Sequence, residues 1–161
     1  MRSILVIISL SLAAQAAISN SDVSEMVNKL QSSIDKLEEI EGKINGNIKK
    51  FTAELLAHTE EDNGADGKNC FLNLLQEYKQ KVNIMIDESI GGYILSSRSL
   101  INDIKSSRLD ESEMEHTKHM LSKEGSYFQQ MKNSIRFMLD RIVADEKEFH
   151  DTVHKQCCKH D

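Results

Sequence analysis

From Val23 to Leu55 apolar residues recur in alternating steps of four and three, through Val23, Val27, Leu30, Ile34, Leu37, Ile44, Ile48, Phe51 and Leu55. A period of 3.5 residues belongs to helices that pack on one another at a shallow angle. Glu41 interrupts the seam, and Ile40 beside it is placed to fill the gap. The chain contains no proline, so nothing of that kind breaks a long helix. Asp22 followed by Glu25 reads as a capping box, which gives a first helix over 22–58. Gly42 and Gly46 each cost about 1 kcal/mol against alanine inside a helix and mark places where it could bend.

The rhythm stops between Thr59 and Asn69, where Glu60-Glu61-Asp62-Asn63-Gly64-Ala65-Asp66-Gly67 reads as an acidic, glycine-bearing loop. Its exposed carboxylates Glu60, Glu61, Asp62 and Asp66 are candidates for an interaction surface. A calcium loop starting at Asp62 fails, because Gly64 falls where a ligand is needed and Asn73 where a bidentate glutamate belongs.

The seam resumes at Cys70 with Phe71, Leu75, Tyr78, Val82 and Met85, flanked by Leu74 and Ile86. Tyr93, Ile94, Leu100, Ile101 and Ile104 continue it beyond Gly91-Gly92, which predicts a second helix over about 70–107, kinked or split at the glycine pair. Asp110 and Glu113 form another capping box. A third helix follows, with Met114, Leu121, Phe128, Met131, Ile135, Met138, Ile142, Phe149 and Val153 on one stripe and Gly125 as its weakest point. Thr117, Glu124 and Asp145 also fall on that stripe. The fold class is therefore all-α, an elongated antiparallel up-down-up three-helix bundle with coiled-coil-like packing, a rod of about 55–65 Å.

The N-terminus places the chain in a compartment. Arg2, the apolar run Ile4–Leu12 and the small residues around Ala14-Gln15-Ala16 have the form of a secretory leader over 1–16, with cleavage as late as 19 also compatible. A single helical domain over 17–161 remains. The apolar run falls short of the ~20 residues that span a bilayer, so no integral membrane segment is expected. Losing Arg2 with the leader takes the formal charge from −6 one unit further negative. That sign argues against nucleic acid and anionic membranes as partners. No Asn-x-Ser/Thr acceptor for N-linked sugar is present.

In an oxidising compartment, three cysteines read as one bridge and one left over. An up-down-up arrangement puts Cys70 at the same end as Cys157 and Cys158. Cys157, four residues after Val153 and nearer the core stripe, is the favoured partner over Cys158. The odd cysteine could instead link two copies into a disulfide-bonded homodimer, remain a thiol, or join its neighbour in a strained vicinal bridge.

Metal-capable side chains are densest in the last dozen residues. His150 and His154 lie one turn apart, and the up-down-up arrangement brings His58 to the same end, so these three are the candidate metal ligands. Solvated histidines beside a structural disulfide are the ordinary reading, and no cofactor is called for. His150-Asp151-Thr152-Val153-His154 departs from the zinc-protease His-Glu-x-x-His pattern at its general base, and no third histidine follows at that family's spacing. His116 and His119 form another exposed-type pair. The serines lack a nucleophile-elbow context, Glu41 and Glu124 are better placed at bends than in a site, and no phosphate loop is present.

These features point to a secreted, non-enzymatic helical protein that binds another extracellular protein through a helix face or the acidic segment, in a secretion such as saliva, venom or reproductive fluid. The alternative is an extracellular carrier of lipid or another small apolar ligand. Met85, Met114, Met131 and Met138 would give it an adaptable pocket.

Overall fold

The computed structural model describes residues 19–122 and 125–158. The expected leader and Glu124 lie outside the described residues. Of the described residues 93% are helical and none is in a strand. The elements are α1 (Asn20–Ile86), a π-helical turn (Asp87–Gly91), α2 (Gly92–Lys105), α3 (Glu111–Met120) and α4 (Ser126–Cys157).

The first helix begins one turn earlier than the sequence suggests. Ser19 is the N-cap, its hydroxyl accepting from the Asp22 backbone N–H at 3.1 Å while the Asp22 carboxylate accepts from the Ser19 N–H at 3.1 Å. Asp22 thus closes a capping box instead of opening one. A Ser–Asp pair satisfies the same two orphan donors and adds a turn that carries Met26 into the core. Gly42 and Gly46 sit in continuous helix, where an added Cβ would meet nothing within 4 Å.

The expected loop at 59–69 is helix, apart from one residue. Only Gly64 leaves the helical region of α1, at φ 58° and ψ −138°, a conformation open to glycine and costly for a residue with a Cβ. It divides α1 into a first arm (20–63) and a second arm (65–86). Polar composition misled the reading here, because local bonds keep the flanks helical: Thr59 Oγ1 donates to the Leu55 carbonyl at 2.7 Å, and Lys68 reaches across the break to Glu60 at 2.6 Å. Gly67 is buried against Thr59, whose carbonyl would lie 2.6 Å from any Cβ placed there.

The second arm passes into α2 without a break. Val82, Ile86, Ile90 and Ile94 are buried at successive steps of four, which on a regular helix would rotate away from one face. The π turn takes up the extra residue and returns the stripe to Ser97, Ile101 and Ile104. Gly91 and Gly92 stay right-handed helical, so the expected kink is a widened turn.

The third predicted helix is two. Asp110 and Glu113 form the expected capping box for α3, with both bonds at 2.8 Å. The chain then leaves the helix at Leu121, and Gly125 in extended conformation is the N-cap of α4. Gly125 packs so tightly on the end of α3 that a Cβ would fall 2.1 Å from the Met120 carbonyl oxygen. Leu121 is buried in the break and keeps the stripe continuous.

One hydrophobic core cluster runs through these elements, from Met26 to Leu55 in the first arm, Phe71 to Ile104 across the second arm and α2, and Met114 to Cys157 in α3 and α4. Aromatic packing joins three segments: the rings of Phe51 and Tyr78 and of Phe51 and Phe149 are 6.3 Å apart, and Tyr78 stacks on Phe149 at 4.5 Å. Polar contacts link Asp22 with Lys118 (3.1 Å), Glu38 with Arg98 (2.8 Å), Lys81 with Asp145 (2.7 Å) and Ser97 with Tyr127 (2.7 Å). Among the described residues no helix is long and apolar enough to cross a membrane.

Candidate functional site

The side chains singled out in the sequence converge where Gly64 joins the two arms of α1 and α4 ends. Cys70 in the second arm is disulfide-bonded to Cys157, their Cα atoms 5.5 Å apart across 87 residues of chain. Cys157 is buried on the same stripe as Val153, which is why it and not Cys158 makes the bridge. The Asn63 side-chain amide donates to the Cys157 carbonyl and ties the residue before the Gly64 break to the end of α4.

Cys158 keeps a free, half-buried thiol. Burial raises its pKa, as does the hydrogen bond and charge of Asp62, while a contact to Thr59 works in the opposite direction. The thiol therefore stays protonated at neutral pH, a poor state for nucleophilic attack or exchange.

Glu61, Asp62 and Asp66 are exposed and Glu60 is half-buried, engaged by Lys68. The acidic segment is thus a helical surface, held on one side by the disulfide and on the other by the packed Gly67.

The three candidate histidines also meet here. His58 at the end of the first arm faces His154 on α4, with ring centroids 5.4 Å apart, and His150 lies 4.5 Å from His154 along the same helix. Carboxylates flank two of them: Asp62 Oδ2 is 3.7 Å from His58 Nε2, and Asp151 Oδ1 is 3.3 Å from His150 Nδ1. Among the described residues no three His, Cys, Asp or Glu side chains already gather their donor atoms as a metal requires. His116 and His119 are exposed on α3 and take no part in this cluster.

No family model, curated protein or solved structure matches this chain. What the site can do therefore rests on its geometry alone.

A second polar group was not singled out from the sequence as a site. Asp145 is buried on the α4 stripe and accepts from Lys81 Nζ at 2.7 Å, which raises the lysine pKa. Its Oδ2 and the buried hydroxyl of Tyr78 have no hydrogen-bond partner. Burial, followed by the charges of Glu146 and Asp145, pushes the Tyr78 pKa far above its ordinary value, and burial raises that of Glu146. The signal was present, since Asp145 is a charged residue in phase with Met138 and Ile142; its partner, 64 residues away, was not legible.

Proposed function

We propose that this chain is a secreted, non-enzymatic protein that binds another extracellular protein through the acidic surface beside the Cys70–Cys157 bridge. The observation that carries this reading is the combination of exposed Glu61, Asp62 and Asp66 with a clamped backbone: a disulfide, the Asn63–Cys157 bond and a tightly packed Gly67 fix their positions. Preorganised charge loses little entropy on binding and favours a basic partner surface. The same reading takes the molecule as an elongated up-down-up bundle. It is supported by the sequence of contacts, in which residue pairs 22–118, 51–149 and 58–154 rise together, whereas 38–98 and 51–78 run oppositely.

A homodimer linked through Cys158 is not part of this proposal, because the thiol is half-buried and protonated. Nor is a lipid carrier. The grooves found are open and polar-rimmed, such as one of 660 Å³ lined by Ser21, Ser24, Glu25, Asn28 and Lys29 among others. Apolar cargo calls for a largely enclosed, apolar pocket.

The test is cross-linking of the disulfide-intact chain in extracellular fluid from the tissue that secretes it, alongside a Glu61→Lys, Asp62→Lys, Asp66→Lys variant. A protein partner linked to the parent and lost from the variant is the expected result. Equal linking of both, or none, would remove the acidic surface from the function.

A further inference from the structure

We propose that His58, His150 and His154 form a binding site for a zinc-class divalent transition-metal ion, which clamps α4 to the first arm of α1.

The spacing of the rings is what a metal needs. Imidazole nitrogens about 2.0–2.1 Å from a tetrahedral zinc hold ring centroids about 5 Å apart. The observed separations of 5.4 Å between His58 and His154 and 4.5 Å between His154 and His150 bracket that value. The backbones already bring the rings to coordination distance, and what remains is rotation about two side-chain bonds to aim the nitrogens. Nothing tight opposes this, since the side chains of His58 and His150 are 52% and 47% exposed. His150 and His154, at i and i+4, form the helical pair that zinc commonly bridges, and His58 supplies a ligand from a second element.

The flanking carboxylates select the ligating nitrogens. Metal-bound imidazole usually donates its other N–H to a carboxylate, which fixes the tautomer and strengthens the ligand. Asp151 stands at Nδ1 of His150, leaving Nε2 for the metal, and Asp62 stands near Nε2 of His58, leaving Nδ1. Both also contribute negative charge near the cation. Cys158 follows His154 by four residues and contacts Asp62, so a thiolate is close to the site. Burial disfavours that thiolate, and the three imidazoles are the assigned ligands, with water completing the shell.

The experiment is calorimetric titration of Zn²⁺ into the full disulfide-intact chain carrying Cys158→Ser, with thermal unfolding recorded with and without the ion. One-to-one binding and an upward shift of the unfolding midpoint are expected, because an ion that binds only the folded state stabilises it. His154→Ala and, separately, His58→Gln should each weaken binding by about tenfold or more and abolish the shift while leaving the far-UV circular dichroism unchanged. The His58→Gln arm keeps the test decisive should the alanine variant fold poorly. No heat above dilution, or affinity indifferent to His58, would overturn the inter-helix site. Binding present in the parent but lost with Cys158→Ser alone would overturn the three-imidazole assignment.

Discussion

Lys81 in the second arm of α1 and Asp145 in α4 meet at 2.7 Å, with the carboxylate almost fully buried and the ammonium nearly half exposed. The two ends of this pair are therefore unequal. Removing the lysine strands a buried charge, whereas removing the aspartate frees an ammonium that water can reach. Lys81→Met should destabilise the fold by about 2–3 kcal/mol, below the range for fully buried pairs because the lysine is solvent-screened. Asp145→Leu should cost less, and the double variant should recover most of the loss. Urea unfolding of the four-protein cycle measures the coupling; additive effects would show that the pair contributes nothing as a pair.

The disulfide joins residues 87 apart, so reducing it releases a large loop to the unfolded ensemble. Cys70→Ser should lower stability by about 2–5 kcal/mol, and Cys158→Ser should leave it within about 0.5 kcal/mol. Thermal unfolding of the two variants checks both values. Peptide mapping under non-reducing conditions should recover Cys70 linked to Cys157 and an alkylatable Cys158.

Much of the core was legible in the sequence because burial follows a simple period. Leu30, Ile34, Leu37, Ile44, Ile48 and Leu55 are buried where the four-three spacing put them, and so are Phe71, Tyr78, Val82, Ile135, Met138, Ile142, Phe149 and Val153. The Cys70–Cys157 pairing followed from bringing helix ends together. What the period could not convey was where a helix stops. Eight polar residues around Gly64 resemble a loop in composition, yet one left-handed glycine makes the break while side-chain bonds hold its neighbours helical. At Gly125 the opposite error arose: the stripe continues in phase through Leu121 although the backbone does not, because phase reports which face is buried and not whether the hydrogen-bond ladder is intact. For the candidate site, the sequence identified the residues and not their geometry. His58 and His154 lie 96 positions apart, and only packing fixes the distance between their rings.

Glycines at different places on these helices should respond to alanine with opposite sign. At Gly42 an added Cβ meets open space on a regular helix, so Gly42→Ala should stabilise by about 0.5–1 kcal/mol through helix propensity and a less flexible unfolded chain. At Gly67 it would lie 2.6 Å from the Thr59 carbonyl and 2.7 Å from Asn63 Cβ. Neither can yield without disturbing the Asn63–Cys157 bond, and Gly67→Ala should destabilise by about 1–3 kcal/mol. Denaturant midpoints for the two variants should move in opposite directions, and a stabilising Gly67→Ala would show that the turn is loosely packed.

The first turn of α1 carries a pH dependence whose sign is fixed by Asp22. The Ser19 hydroxyl, the Lys118 ammonium and the Ser19 N–H all favour its ionised form, lowering the pKa below its ordinary 3.8. A carboxylate with a depressed folded-state pKa binds protons more readily in the unfolded chain, so stability falls as the pH is lowered. The contribution is fully present above the ordinary value and disappears as the pH drops through the lower folded value. Asp22→Asn keeps an oxygen able to accept from the Ser19 N–H but cannot pair with Lys118. The variant should therefore be less stable than the parent at pH 6, and the difference should shrink below pH 4 as the parent aspartate protonates. Paired unfolding curves at pH 6, 4 and 2.5 isolate this term from the other carboxylates, and a gap that stays constant or widens in acid would show that Asp22 acts through packing and not through its charge.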